Sequence, residues 1–437
     1  MTMEGKTPDR AKRLLLAVLF CCASPALADS WTPSSYKAEV FRVSYNVKKA
    51  AEDAEIYKGR YLSELAGFYL PSVLISASGK TYSAYHAPPS LRFRQDETSA
   101  GVAASLNLFN GFKDKLSLDS SRLLSRIYQL RLWQERQSVT LAALDNYYSV
   151  LRKKRLLEIV RDSLTSYQRQ YEKVKRYYNK GIKSYSDVLK SELNVRSGQL
   201  SEAASIEDYK NAVMDFNSSL YRKAETEVEL EDFASYSPPP VSREEKDIDY
   251  ALSHRPELEI LGFERKIAGY SSKKAGIERF PDFSVDAYYD RQGIGKWGRL
   301  AADAVNPDYY LKLSLSFPFG RDTFFEKQAS LEASTALERA HRAVRDMELL
   351  VRREVLTARL ALSTAVTRYE VAGLKAGISK RNLGIVNNSY NSGRSGIIEL
   401  AEAQRDDLGA QSELANALYD LLQALARYDS ALGRQLW

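Results

Sequence analysis

Two kinds of hydrophobic pattern alternate along the chain, and the longer one predicts helices. Residues 112 to about 180 contain neither proline nor glycine. In their second half the apolar residues are spaced three and four apart, as Leu157, Val160, Leu164, Tyr167, Tyr171, Val174 and Tyr178. The same heptad spacing recurs near the end of the chain, at Leu414, Leu418, Leu421, Leu425, Tyr428 and Leu432. A heptad seam is typical of coiled-coil packing, so we expect helices up to about 100 Å long that pack against other long helices.

The second pattern is an alternation of apolar and polar residues over short segments, which predicts β-strands. The clearest example is 309–317, where the odd-numbered tyrosine, leucine and phenylalanine residues oppose Tyr310, Lys312, Ser314 and Ser316. Such segments, with tyrosines near their ends, are typical of transmembrane β-strands that line a wet lumen. A half-buried sheet in a soluble domain alternates in the same way. We expect four strands, at about 71–78, 100–109, 281–290 and 309–317.

The order of these elements occurs twice, which indicates a tandem duplication. Pro71 and Pro281, each at the start of a strand pair, are 210 residues apart, and the turn Tyr-Asn-Lys-Gly at 178–181 returns as Tyr-Asn-Ser-Gly at 390–393. Repetition on this scale means that one supersecondary unit was copied. We expect a first repeat at 29–234 with long helices at about 112–180 and 184–230, a proline-containing linker at 235–247, and a second repeat at 248–437 with long helices at about 322–390 and 397–434.

The first 28 residues are expected to be a secretory signal peptide. Basic residues precede an apolar core at 14–22, and Ala-Leu-Ala at 26–28 fits a cleavage site, so the mature chain should begin at Asp29. The core is too short to span a bilayer. Both cysteines lie in this segment, which leaves the mature protein without disulfides. The net charge of +7 is mild for this length and indicates a solvated surface, with no nucleic acid as partner.

Nothing in the sequence indicates an enzyme. The three histidines, His86, His254 and His341, are far apart. We find no glycine-rich phosphate loop, no zinc-binding spacing and no nucleophile elbow. No catalytic residue, metal ligand or cofactor is therefore expected.

Four strands are too few for a membrane barrel. The smallest transmembrane barrels have about eight strands, and an open strand edge is not tolerated in lipid. If the strands enter a membrane, several copies of the chain must share one barrel. The long helices must then form one common bundle below it, and such an assembly is a conduit.

Several short motifs resemble those of the TolC-like outer-membrane channel proteins of Gram-negative efflux and type I secretion systems. Each motif is modest alone, but their order, spacing and duplication are specific, and they cover nearly all of the mature chain. In chain order they are the strand entry at Pro71, Leu-Phe-Asn-Gly at 108–111, Gly181 followed by Ser-Asp-Val-Leu at 186–189, Arg-Pro-Glu-Leu at 255–258, and Gly393 followed by Ile-Ile-Glu-Leu at 397–400.

The resemblance implies a mostly α fold with a small membrane β-barrel part, assembled as a homotrimer in the outer membrane of a Gram-negative bacterium. Each protomer would contribute four strands to a twelve-stranded barrel in outer-membrane lipid and two coiled-coil hairpins to a periplasmic α-barrel. The trimer would be the passive exit duct of a tripartite efflux pump or a type I secretion system. A periplasmic adaptor protein and an inner-membrane transporter would be its partners. The alternative is a periplasmic coiled-coil scaffold or adaptor protein without a membrane barrel.

The resemblance also implies roles for residues near the two hairpin turns. Gly181 and Gly393 mark the tips that an adaptor would contact. Glu399 and Glu402 match a carboxylate ring at the pore constriction. The two residues are three positions apart and so share one helix face, where a ring of acids would favour cations. Ordinary solvated surface acids are the alternative.

A latch between the hairpins is the last role that the resemblance implies. Asp187 and Tyr390 match its two partners, and Ser186 matches a neighbouring position. An ionised carboxylate is a strong acceptor for a tyrosine hydroxyl. Ser395 stands where a well-known member of the family has a latch arginine, with Arg394 beside it, so the details of gating differ in this chain.

Overall fold

The computed structural model describes residues 30–83, 94–232, 243–277, 280–294, 307–317 and 321–437. The expected signal peptide at 1–28, the cleavage point before Asp29 and most of the proline-containing linker lie outside these residues.

The described chain consists mainly of helices, with a single four-stranded sheet. The helices are α1 (Pro33–Val43), α2 (Tyr45–Tyr69), α3 (Lys113–Asn179), α4 (Tyr185–Ser219), α5 (Glu244–His254), α6 (Pro256–Gly276), α7 (Arg321–Asn391) and α8 (Ile397–Ala431). The strands are β1 (Ser72–Ser83), β2 (Arg94–Phe109), β3 (Asp282–Ile294) and β4 (Asp308–Ser316).

Each repeat contains two shorter helices, two strands and two long helices, in that order. The two heptad seams lie in α3 and α8, and the bounds of α3, α7 and α8 are close to those expected, but the sequence did not predict the shorter pairs α1–α2 and α5–α6. Helix α5 begins at Glu244, inside the segment expected to be linker. The break between α5 and α6 follows from Pro256, because a proline disfavours helical geometry in the residue before it. Arg255 is accordingly extended, and Pro256 begins the next helix.

Helix α4 ends at Ser219 instead of continuing to about residue 230. Tyr221 has a φ of 54°, a left-handed conformation that a helix cannot continue through. The buried side-chain amide of Asn217 donates to the carbonyl oxygens of Ala224 (3.1 Å) and Thr226 (2.8 Å) and so stabilises the turn that follows. The spacing of apolar residues does not reveal such a side-chain contact. For this reason the expected end of α4 at about residue 230 was wrong.

The sheet has the order β1-β2-β3-β4, and all neighbouring strands are antiparallel. The pairing between β2 and β3 joins the two repeats. The first three strands extend further than expected, with Lys80 opposite Glu97 in the β1–β2 ladder. Backbone pairing therefore continues where the side-chain alternation becomes irregular.

The two faces of the sheet differ in polarity. One register row carries Val73, Ala104, Ala287 and Leu311, and the next carries Ser72, Ser105, Asp286 and Lys312. On the polar face the Ser105 hydroxyl donates to Asp286 at 2.6 Å. On the apolar face Leu311 is 71% exposed and Ile75 79% exposed. No described helix packs extensively on the sheet, so the described part of the chain leaves its apolar face uncovered.

The long helices form two antiparallel hairpins, α3–α4 and α7–α8, that join mainly where α8 packs on α3. Helices α2 and α6 lie along α3, and α6 also packs on α7. Near the middle of the bundle a buried charge network connects three helices. The Asp247 carboxylate of α5 accepts from Arg359 of α7 at 2.8 Å and from the Tyr428 hydroxyl of α8 at 2.6 Å.

A second buried cluster fastens the beginning of the described chain to the bundle. The rings of Tyr36 and Phe216 stack at 4.1 Å. The Tyr147 hydroxyl lies 2.8 Å from the carbonyl oxygens of both Trp31 and Glu231. Burial raises the pKa of Tyr147, and the Glu231 carboxylate raises it further, so this hydroxyl remains a proton donor. One side chain of α3 thus holds two separate backbone segments.

We expect Tyr147→Phe to destabilise the protein by about 1–3 kcal/mol, because the substitution removes the hydroxyl donor of the Glu231 carbonyl oxygen and one of the two donors of the Trp31 carbonyl oxygen. Denaturant unfolding followed by circular dichroism measures the change. Tyr45→Phe is the control, since Tyr45 is exposed. Equal unfolding midpoints for the two variants would contradict this role of the hydroxyl.

Candidate functional site at the hairpin tips

The tips of the two hairpins are built in the same way. Gly181 and Gly393 have φ values of 73° and 76°, a left-handed conformation that glycine adopts without strain. In the first turn the Gly181 amide donates to the Tyr178 carbonyl at 2.8 Å, and in the second the Gly393 amide donates to the Tyr390 carbonyl at 3.1 Å. These bonds pair carbonyls that the ends of α3 and α7 would otherwise leave without partners. A side chain at either glycine would meet open space, so the conformation, and not crowding, requires glycine there.

The two hairpins meet in a small apolar cluster close to these turns. Its buried members are Val174 of α3, Val188 of α4, Tyr390 of α7, and Ile397 and Leu400 of α8. All four long helices therefore contribute to one contact within a protomer. We call this group the tip cluster.

Tyr390 is the polar member of the tip cluster. Its side chain is 2% exposed, and its hydroxyl has no hydrogen-bond partner of normal geometry within the described residues. The side-chain nitrogen of Gln170 is also buried without a well-formed hydrogen bond there, but the Gln170 amide lies close enough to the Tyr390 hydroxyl to lower the pKa of that hydroxyl. Burial raises the pKa of Tyr390, and the negative charge of Asp187 raises it further. The hydroxyl is thus a protonated donor in a nearly dry site.

The structure brings Asp187 close to Tyr390 but uses its carboxylate for another contact. Ser184 and Asp187 form a capping box at the start of α4, in which the Asp187 carboxylate accepts from the Ser184 amide at 3.4 Å. Ser186 is exposed and lies outside the tip cluster. The hydrogen bond from Tyr390 to Asp187 that the sequence suggested is not formed within the protomer, and the latch stays a prediction.

Glu399 and Glu402 lie on the exposed side of α8, next to the tip cluster. Within the described residues neither carboxylate makes an ion pair or a hydrogen bond. Glu399 is in the first turn of α8, where the helix dipole favours a negative charge. The two acids are therefore available to solvent or to other copies of the chain.

Two lysines of the first hairpin, which the sequence did not single out, contact the end of α7. The Lys183 ammonium lies 4.5 Å from the centre of the Tyr390 ring. The Lys173 ammonium donates to the side-chain oxygen of Asn391. Spacing alone could not predict these contacts because they join residues that are about 200 positions apart.

The turn of the second hairpin makes its own contacts. The Arg394 side chain donates to the Ser392 hydroxyl at 3.1 Å, and Ser395 is partly buried. The described structure contains no group of histidine, cysteine, aspartate or glutamate residues that could hold a metal ion. Among the described helices, none is both long enough and apolar enough to cross a membrane.

Comparison with known proteins places this fold in a family. The model of the family described as "Outer membrane efflux protein" matches residues 66–220 and 248–434. The chain is 23% identical over 375 residues to the outer membrane protein TolC of Vibrio cholerae, which covers 83% of this chain and 82% of that protein.

Solved structures share the fold over almost the whole chain. The outer membrane protein VceC of Vibrio cholerae has a TM-score of 0.78 at 13% identity, with 93% of this chain and 97% of that chain covered. The CmeC outer membrane channel of Campylobacter jejuni also has a TM-score of 0.78, at 15% identity, with 93% and 87% covered.

The family match includes both repeats and more than half of the chain. It confirms the resemblance seen in the motifs and identifies the fold as that of outer-membrane channels that serve efflux. The protein is accordingly located in the outer membrane of a Gram-negative bacterium. This chain belongs to the outer membrane efflux protein family.

Proposed function

We propose that this chain is one protomer of a homotrimeric exit duct that serves a tripartite efflux pump or a type I secretion system. The observation that carries the proposal is a four-stranded sheet whose apolar face is uncovered. Within the described residues β1 and β4 each pair on one side only. The duct itself is passive, since the sequence has no nucleotide-binding motif, and an inner-membrane transporter supplies the energy.

The sheet supports a barrel shared between copies. A strand edge cannot remain open in lipid, because its amide and carbonyl groups would have no partners. Pairing β1 of one copy with β4 of the next satisfies both edges, and three copies give a closed barrel of twelve strands. Its outer face carries Val73, Ile75, Leu311, Leu313 and Leu315, which suits contact with lipid. Its inner face is polar.

The long helices support the same assembly. Helices α4 and α7 each carry an exposed apolar seam with heptad spacing, which a single chain leaves without a partner helix. Neighbouring copies of the chain would cover these seams and close the hairpins into one tube. The exposed residues are Leu189, Leu193 and Leu200 on α4, and Leu349, Leu356, Leu360, Leu374, Ile378 and Ile385 on α7.

The tip cluster supports a gate at the periplasmic end. A buried hydroxyl without a well-formed hydrogen bond is costly, and the Asp187 carboxylate is the acid whose charge raises the pKa of Tyr390. We infer that the Tyr390 hydroxyl donates to Asp187 in the closed trimer, with Ser186 at the edge of the contact. A periplasmic adaptor that grips the turns at Gly181 and Gly393 would separate the hairpins and open the duct.

The exposed acids of α8 support a selective pore mouth. In a trimer, Glu399 and Glu402 would give six carboxylates around the closed tips. Rings of carboxylates at a constriction favour cations and repel anions. This role depends on the trimer, since within one protomer both side chains are simply solvated.

The trimer is tested first by the mass of the detergent-purified protein, measured by light scattering and corrected for bound detergent. We expect three chains per particle and extraction only from outer membranes. A stable monomer that is soluble without detergent would overturn the proposal and leave the periplasmic scaffold or adaptor protein as the explanation.

A matched pair of variants tests the barrel in the same assay. Leu313→Lys puts a charge on the face assigned to lipid, where it costs about 2–4 kcal/mol at mid-bilayer depth, and should lower the yield of assembled trimer. Ser314→Lys puts the same charge on the polar face and should assemble normally. Equal yields for both variants would remove the lipid-facing assignment.

We expect Tyr390→Phe and Asp187→Asn each to raise the conductance of the trimer in planar lipid bilayers. A hydrogen bond to a charged group contributes about 1.5–3 kcal/mol, so losing it should increase the open fraction by about 10- to 100-fold. Tyr221→Phe is the control, because Tyr221 is exposed and far from the tips in sequence. If Tyr390→Phe conducts like the unmodified protein, the hydroxyl is not part of the latch.

Replacing both Glu399 and Glu402 with glutamine should reduce the cation preference of the channel. The reversal potential in a salt gradient measures this preference and should move towards zero as the six charges are lost. Glu413→Gln is the control, since Glu413 is an exposed acid of α8 that already pairs with Lys375. An unchanged reversal potential in the double variant would mean that the two residues are ordinary surface acids.

A further inference from the structure

The last turn of α7 contains no positively charged side chain. The carbonyl groups at a helix C-terminus carry a partial negative charge that a nearby cation stabilises. Helix α3 has Arg176 in its last turn for this purpose, but α7 has no basic residue in its last turn. The two equivalent turns of the duplication therefore differ in their electrostatics.

Two cations of the first hairpin lie where α7 lacks one. Lys183, in the turn between α3 and α4, places its ammonium 4.5 Å from the centre of the Tyr390 ring. Lys173 of α3 donates to the side chain of Asn391, the last residue of α7. Both lysines are partly buried. In the turn after α7, the Arg394 side chain is bonded to Ser392 and Ser395 is uncharged. Neither side chain therefore competes with the two lysines for the end of α7.

We propose that Lys183 and Lys173 form a two-point clamp that holds the end of α7 against the first hairpin and so keeps the gate closed. This inference rests on the proposed function and adds positioning residues to the same gate. The clamp acts on the ring of Tyr390 and on the end of the helix, and so differs from the contact between the Tyr390 hydroxyl and Asp187.

The geometry explains why a lysine over this ring would matter. One side of the Tyr390 ring packs in the tip cluster, and the Lys183 ammonium lies over the ring itself. A cation over an aromatic face is attracted by its π-electrons, and the attraction increases when water is largely excluded. Moving the α7–α8 hairpin outward separates this pair and the Lys173–Asn391 pair together. The clamp therefore opposes the displacement that would open the tips.

The test compares Lys183→Met, Lys183→Arg and Lys173→Met by single-channel conductance of the full-length mature protein in planar bilayers. We expect both methionine variants to raise the open fraction several-fold. Lys183→Arg should remain closed, because a guanidinium also binds over aromatic rings. Lys180→Met is the matched control, since Lys180 is an exposed lysine of the same turn. Light scattering and thermal unfolding establish that each variant is assembled and folded.

Combining Lys183→Met with two different substitutions of Tyr390 distinguishes the role of the ring from the role of the hydroxyl. In Tyr390→Phe the ring is kept, so Lys183→Met should still raise the open fraction. In Tyr390→Leu the ring is lost, so Lys183→Met should add nothing. Methionine variants that conduct like Lys180→Met, or an equal effect of Lys183→Met in both backgrounds, would overturn the clamp.

Failure of the clamp and failure of the proposed function give different results. If Asp187→Asn opens a trimeric channel and the lysine variants do not, the duct and its latch remain and the clamp is wrong. If neither the latch variants nor the lysine variants conduct, the proposed duct is wrong, and the proposed clamp is wrong as well.

Discussion

The two free edges of the four-stranded sheet are the constraint on which the rest of the architecture depends. Hydrogen bonds that the protomer leaves unmade at β1 and β4 have to be made by something else, and in lipid only another strand can make them. The apolar face of the same strands, which the described residues leave uncovered, also needs a partner. The proposed trimer satisfies both at once, and it also gives the exposed heptad seams of α4 and α7 a partner.

The buried polar groups of the described chain are not equally well hydrogen-bonded. In the middle, Asp247, Arg359 and Tyr428 form a buried network, and the Tyr147 hydroxyl is bonded to two carbonyl oxygens. At the tips, the Tyr390 hydroxyl and the Gln170 amide lie near each other without a well-formed hydrogen bond, and nearer the middle the side-chain oxygen of Asn217 also lacks one within the described residues. A buried polar network that is fully bonded makes a structure rigid. The network of Asp247, Arg359 and Tyr428 therefore stabilises the middle of the bundle.

Much of the fold was predictable because it depends on periodicity, which is a local property of the sequence. Heptad seams identified α3 and α8, the duplication identified α7, and alternation identified the strands. The shorter helices α1, α2, α5 and α6 were missed, although they are on average less polar than α3. The end of α4 depends on Asn217 bonding to residues further along, and the lysine contacts with α7 join the two repeats. Such features become visible only when distant segments are brought together. The turn glycines were the part of the candidate site that the sequence located well, because their positive φ values are a requirement of the local backbone.

The pairing of β2 with β3 has a consequence for how this architecture arose. Within one chain, that ladder joins the two repeats edge to edge, which is the same kind of contact that would join neighbouring copies through β4 and β1. A chain with a single repeat would therefore present equivalent edges, and six copies would supply as many strands as three copies of the duplicated chain. Duplication halves the number of subunits that must meet during assembly. It also frees the two halves to differ, so that here the exposed acids Glu399 and Glu402 follow one turn while the lysines Lys173 and Lys183 flank the other.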